Sequence, residues 1–88
     1  MSIIKTKTSQ AILKVLQECD GRAVTLRALT TYASPRIGIP ATIDDIRLHL
    51  SDLELRGYAE HIASPLNPSE LEYRVTELGM QIALPHNL

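Results

Sequence analysis

The apolar positions of this 88-residue chain change period after Gly57 and again after Val75, and the changes outline its elements. Ile12, Val15, Leu16 and Cys19 recur at helical spacing, while Lys14, Gln17 and Glu18 fall away from the centre of that face. The pattern predicts a first helix from Ser9 to Cys19, capped by Ser9 and stopped at Asp20-Gly21. A short extended piece at Ala23-Val24 follows. Thr25 then caps a second helix, Leu26 to Ala33, expected to bury Leu29 and Tyr32. Ser34 to Pro40 contains Pro35, Gly38 and Pro40 and reads as a turn-rich connector. Thr42 opens the third and longest helix. Thr42 and Asp45 have the spacing of a capping box, and acids at 44 and 45 suit the helix dipole. Ile43, Ile46, Leu50 and Leu53 fall within a sector of roughly 80°, the width of a core-facing stripe. Gly57 is placed to end the helix.

Beyond Gly57 the period shortens. Tyr58 to Ala63 can form a strand, and Leu71-Glu72-Tyr73-Arg74-Val75 alternates strictly between apolar and polar. Ser64 to Ser69 joins the two as a hairpin loop longer than a two-residue turn. Thr76 caps a last short helix carrying Leu78, Ile82 and Ala83, which Pro85 stops. The expected organisation is an N-terminal arm (1–8), one α+β domain (9–84) with at most three strands, and a tail (85–88).

Composition adds bounds. Hydrophobic residues are 44% and charged residues 22%, which suits a folded domain. Without Trp or Phe, the core must be aliphatic. The apolar runs are too short to span a membrane, and the first ten residues lack the apolar stretch of a secretory signal. The single cysteine excludes an intramolecular disulfide and suits a reducing cytoplasm. The net charge of −1 gives no hint of nucleic acid. Its distribution is uneven: residues 1–41 hold six basic and two acidic side chains, and residues 42–75 hold three basic and seven acidic. The front half is basic and the back half acidic.

Two segments carry a family resemblance. Ile46 to Tyr58, with its His49-Leu50 pair, Leu53, Gly57 and Tyr58, resembles the end of a recognition helix and the start of a wing. Tyr73-Arg74-Val75-Thr76-Glu77-Leu78-Gly79 is similar to the stretch that closes the wing in bacterial regulators of the MarR, PadR and ArsR type. There the last wing strand runs into a Thr-capped helix whose Gly permits close packing. The chain also resembles small stand-alone winged-helix proteins of Mu-like prophages. The resemblance covers residues 9–84 and implies a winged helix-turn-helix fold: a three-helix core, a β-hairpin wing and a short C-terminal helix. It departs from the regulators in a longer connector between the second and third helices.

The resemblance implies a small transcriptional regulator, bacterial or phage-borne, that binds double-stranded DNA as a homodimer. Arg47 is the side chain on the third helix best suited to guanine or phosphate, with Thr42 and Ser51 beside it. Arg27 and Arg36 would flank that helix, and Lys5 and Lys7 would reach from the arm. The rival is a protein–protein module without DNA binding. Asp44 and Asp45 on the third helix, and Glu60, Glu70 and Glu72 on the wing, favour that rival, and loop 64–69 has no Arg or Lys. Leu48 and Leu55 lie seven apart, away from the core stripe. Either Leu55 packs under the wing and Leu48 against the connector, or both form a protein interface such as a dimer contact, or Leu48 touches a thymine methyl. Pairing of copies would also cover Ile3, Ile4, Leu84 and Leu88.

Little else points to chemistry. His49, His61, His86 and Cys19 lack metal-ligand spacing. Cys19 and His49 read as packed residues and His61 as surface. Asp44 and Asp45 point about 100° apart on a helix, so they are not an acid/base dyad. No Gly-rich phosphate loop is present. The expectation is a non-enzymatic domain with no cofactor, no metal and no small-molecule substrate.

Overall fold

A computed structural model describes residues 6–38, 41–64, 66–67 and 70–85. Its order is α1 (Lys7–Glu18), β1 (Val24–Thr25), α2 (Leu26–Ile37), α3 (Ile43–Leu55), β2 (Ala59–Ala63), β3 (Leu71–Val75) and α4 (Glu77–Met80). The strands form one antiparallel sheet in the order β1-β3-β2. Tyr73, at the middle of β3, stands opposite Val24 on one side and His61 on the other. The hairpin β2–β3 is the wing, and β1 ties it back to the helical layer.

The central element is α1. Ala11, Ile12, Leu13 and Leu16 have no exposed surface, and Val15 is nearly as buried. Leu29 and Ala33 of α2 and Ile46, Leu50 and Leu53 of α3 close over them, with Tyr58, Tyr73 and Val75 from the sheet side. Cys19 is half-buried against this core, in its expected place. Side-chain hydrogen bonds cross between elements. Ser9 Oγ and His49 Nδ1 lie 3.0 Å apart and join α1 to α3. Gln17 Nε2 donates to the carbonyls of Gly79 and Ile82, 2.9 Å each, and so satisfies the end of α4.

Several caps form as the sequence predicts. Thr25 accepts from the Ala28 N–H, the Thr42–Asp45 capping box closes in both directions, and Thr76 accepts from the Gly79 N–H. Other expectations need correction. Thr6, not Ser9, caps α1, so the helix starts at Lys7 and Lys7 belongs to it rather than to an arm. Ser9 is buried inside the helix because its hydroxyl has His49 as partner. Helix α2 runs through Ser34 and Pro35 to Ile37, so the connector is only Gly38 to Thr42. Ala33 and Ile37 bury against the core, and Gly38, at φ 88°, caps the end through its N–H to Ser34 O. That burial outweighs the hydrogen bond Pro35 cannot make. Tyr32 points outward at 58% exposure, and Ile43 lies at the rim of the core stripe rather than within it. Leu84, expected at a partner interface, packs half-buried against this chain's own core. Ile3, Ile4, Lys5, His86 and Leu88 lie outside the described residues.

The junction between α3, the wing and α4 is the tightest place in the fold. Gly57 adopts φ 82°. Its N–H reaches Glu54 O, and the Tyr58 N–H reaches Leu53 O at 2.9 Å. This is a Schellman ending, with Tyr58 and Leu53 both buried. Thr76 seals it: its N–H donates to Tyr58 O at 3.1 Å and its hydroxyl to Gly57 O at 2.5 Å. Gly79 lies directly against this strip. A Cβ there would sit 2.1 Å from Tyr58 O and 2.8 Å from Val75 Cγ2. Gly79→Ala is therefore expected to destabilise the fold by about 2–3 kcal/mol, read as a lower urea midpoint; an unchanged midpoint would contradict this packing.

Tyr73 supplies a second test. Burial first, then the Glu54 carboxylate, raises its hydroxyl above the ordinary 10.0, against a smaller opposing pull from Arg47. The folded chain thus holds the phenol proton more tightly than the unfolded chain. The resulting stability is fully present below the ordinary value and is lost as pH climbs through the raised one. Unfolding free energy should fall as pH rises above the ordinary 10.0 in the wild type, and fall less steeply in Tyr73→Phe. Parallel curves would contradict it.

Candidate nucleic-acid interface

Helix α3 presents one side to the core and the other to solvent. Ile46, Leu50 and Leu53 define the inner direction. At about 100° per residue, the outermost ridge of the helix carries Asp44, Leu48 and Leu55. Leu48 is 70% exposed and Leu55 88%. Of the alternatives for this pair, packing of Leu55 under the wing and of Leu48 against the connector is corrected by this exposure. Ser51 and Asp52 lie on either side of this ridge, both exposed. The Ser51 hydroxyl donates to Arg47 O at 3.1 Å, which leaves its oxygen lone pairs available outward. Thr42 is exposed, but its hydroxyl oxygen already accepts from the Asp45 N–H, so its first role is to start the helix.

Arg47 stands on the flank of α3 that turns toward the wing. There an open groove of about 560 Å³ runs between α2, α3 and the hairpin. Leu26 and Arg27 line it from α2, Ile43 and Arg47 from α3, and Asn67, Glu70 and Leu71 from the wing. The fold therefore brings together two of the sequence-predicted cations, Arg27 and Arg47. Among the described residues Arg27 is paired with no carboxylate, and Arg47 has only a loose contact to Asp44 at 3.7 Å, both side chains well exposed. Contacts of that kind hold a side chain weakly, by a fraction of a kcal/mol in typical cases of about 0.2–1. Arg36 does not join them. It bridges to Glu18 of α1 and braces α1 against α2. Lys7 projects from the first turn of α1.

Three acidic side chains of this region are engaged, while Glu70 lines the groove itself. Arg56 bridges to Asp52 along α3, and Arg74 bridges to Glu60 across the wing. Glu54 of α3 meets His61 Nδ1 of β2. That last contact was not anticipated from the sequence. Its signal is there in retrospect: Glu54 and His61 sit either side of Gly57, and a helix-to-strand reversal at a glycine folds such positions onto each other. The His61 ring also lies 6.3 Å from that of Tyr73, so it stays at the surface, as expected, but is anchored. Among the described residues no group of three His, Cys, Asp or Glu could hold a metal ion, and no helix is long and apolar enough to cross a membrane.

No family model matches the chain, and no curated protein matches it. Solved structures do. RosR from H. salinarum is 26% identical, with a TM-score of 0.70 over 88% of this chain. The PcaV transcriptional regulator from Streptomyces coelicolor, solved with its natural ligand, is 22% identical, with a TM-score of 0.69 over 88% of this chain and 49% of its own. MepR from S. aureus, solved in complex with DNA, is 15% identical, with a TM-score of 0.67 over 86% of this chain and 56% of its own. The chain spans 66% of RosR, just under two thirds of its length. Element order, sheet order and these likenesses agree: the chain folds as a winged helix-turn-helix domain resembling those of MarR-type transcriptional regulators.

Proposed function

We propose that this chain is a DNA-binding transcriptional regulator that lays α3 in the major groove and sets its wing against the adjacent backbone. The observation that carries the reading is the groove that Arg27 and Arg47 share with the loop end of the wing. A helix in the major groove needs cations on its flanks to hold phosphates and a free outer ridge to meet base edges. Helix α3 has both. The engagement of Asp52 and Glu60 by Arg56 and Arg74 reduces the repulsion that an acidic face would exert on phosphate. The likeness to MepR, solved with DNA, supports this use of the fold. Two cations per chain are few, and a homodimer spanning two half-sites about one DNA turn apart doubles them.

Fluorescence-anisotropy titration of a mixed-sequence duplex tests the reading. Binding is expected at low salt, with a shallow slope of log K against log salt, about −2 for a single chain and about −4 for a dimer. Arg47→Ala should weaken binding about tenfold, and Arg27→Ala should lower the slope by about one. Arg36→Ala should leave affinity nearly unchanged, because Glu18 already occupies that side chain. No binding at tens of micromolar protein in low salt would overturn the proposal and return attention to a protein partner.

A further inference from the structure

The side chain at the centre of the exposed face of α3 is apolar. Leu48 lies on the ridge opposite the buried stripe, one turn beyond Asp44, while Arg47 is displaced to the flank that shares the groove with Arg27. In a helix inserted into the major groove, it is the ridge, not the flank, that meets the base edges. The floor of that groove offers hydrogen-bonding groups and one apolar feature, the C5-methyl of thymine. A leucine pressed against N4, O6 or N7 would leave those groups without their water and without a partner. Against a methyl group it buries apolar surface at no polar cost.

Resting on the DNA-binding reading above, we infer that Leu48 is a specificity-determining residue that selects thymine through its methyl group. The neighbours suit that role. Asp44, one turn earlier on the same ridge, accepts hydrogen bonds, and the bases that donate in the major groove are cytosine through N4 and adenine through N6. Arg47 on the flank holds phosphate or an adjacent guanine. Leu48 makes no contribution to the core that would otherwise explain it, at 70% exposure. Leu55, on the same ridge, lies about two turns further toward the C-terminus, beyond the N-terminal half of the helix that reads bases. The site thus expects a thymine at the position under Leu48.

The test uses duplexes that the protein retains from a random-sequence pool, with each thymine replaced in turn by deoxyuridine. This replacement removes the methyl group and keeps the base pairing. At one position per half-site, the wild-type protein should bind the uridine duplex about fourfold more weakly, the size expected for one buried methyl. The Leu48→Ala variant should bind the thymine and uridine duplexes alike. Its fold should be unaltered by circular dichroism, since the side chain lies outside the core. Equal wild-type affinity for all uridine duplexes would overturn the inference while leaving DNA binding intact. So would a Leu48→Ala variant that keeps the thymine preference. Failure to retain any duplex would overturn the DNA-binding reading itself.

Discussion

The geometry of the molecule depends on a close approach of backbone to backbone. Gly79 sits where no side chain fits, against the Tyr58 carbonyl and Val75, and this lets α4 close over the turn that ends α3. The turn is then held from both sides: its own Schellman bonds fix Gly57 and Tyr58, and Thr76 donates to both of their carbonyls. Because β2 begins at Ala59 and β3 ends at Val75, the same few atoms set the angle between the outer helix and the wing. Gln17 reaches from the central helix to the far end of α4 and completes the clamp. The groove between α2, α3 and the hairpin is a consequence of that angle.

Most of this architecture was legible in the residues. Thr25, Thr42 and Thr76 are local signals, since a cap acts within one turn, and all three formed. The alternation from Leu71 to Val75 and the glycine at 57 are equally local. Expectations failed where a distant partner changed the outcome. Ser9 was available as a cap, but His49, forty residues away, draws it into the interior, and Thr6 takes its place. Pro35 signals a helix end, yet the burial of Ile37 carries α2 past it. The partner of Arg36, Glu18, is likewise a product of the packing of α1 against α2. The candidate site was legible in part. Arg27 and Arg47 could be named as cations, but their convergence is a property of the helix crossing.

The electrostatics follow the same logic. Read along the chain, residues 42–75 look hostile to a polyanion. In the fold, Arg56 and Arg74 of that stretch bridge to its own Asp52 and Glu60, and the two cations that line the groove come from both halves, Arg27 on α2 and Arg47 on α3. A net balance per segment therefore misjudges the surface, because ion pairs form within the acidic half while the groove draws one cation from each half.

The partly neutralised face of α3 and the wing bears on how such a protein would search a genome. A strongly cationic reader spends most of its time on irrelevant sequence, because phosphates are everywhere and grip it equally. A face with two of its arginines already paired has less of that indiscriminate hold. The ratio between cognate and random sites is then widened by lowering the background rather than by strengthening the target. On the DNA-binding reading, the chain trades rapid sliding for time spent free in solution, and its occupancy of a cognate site becomes sensitive to its own concentration.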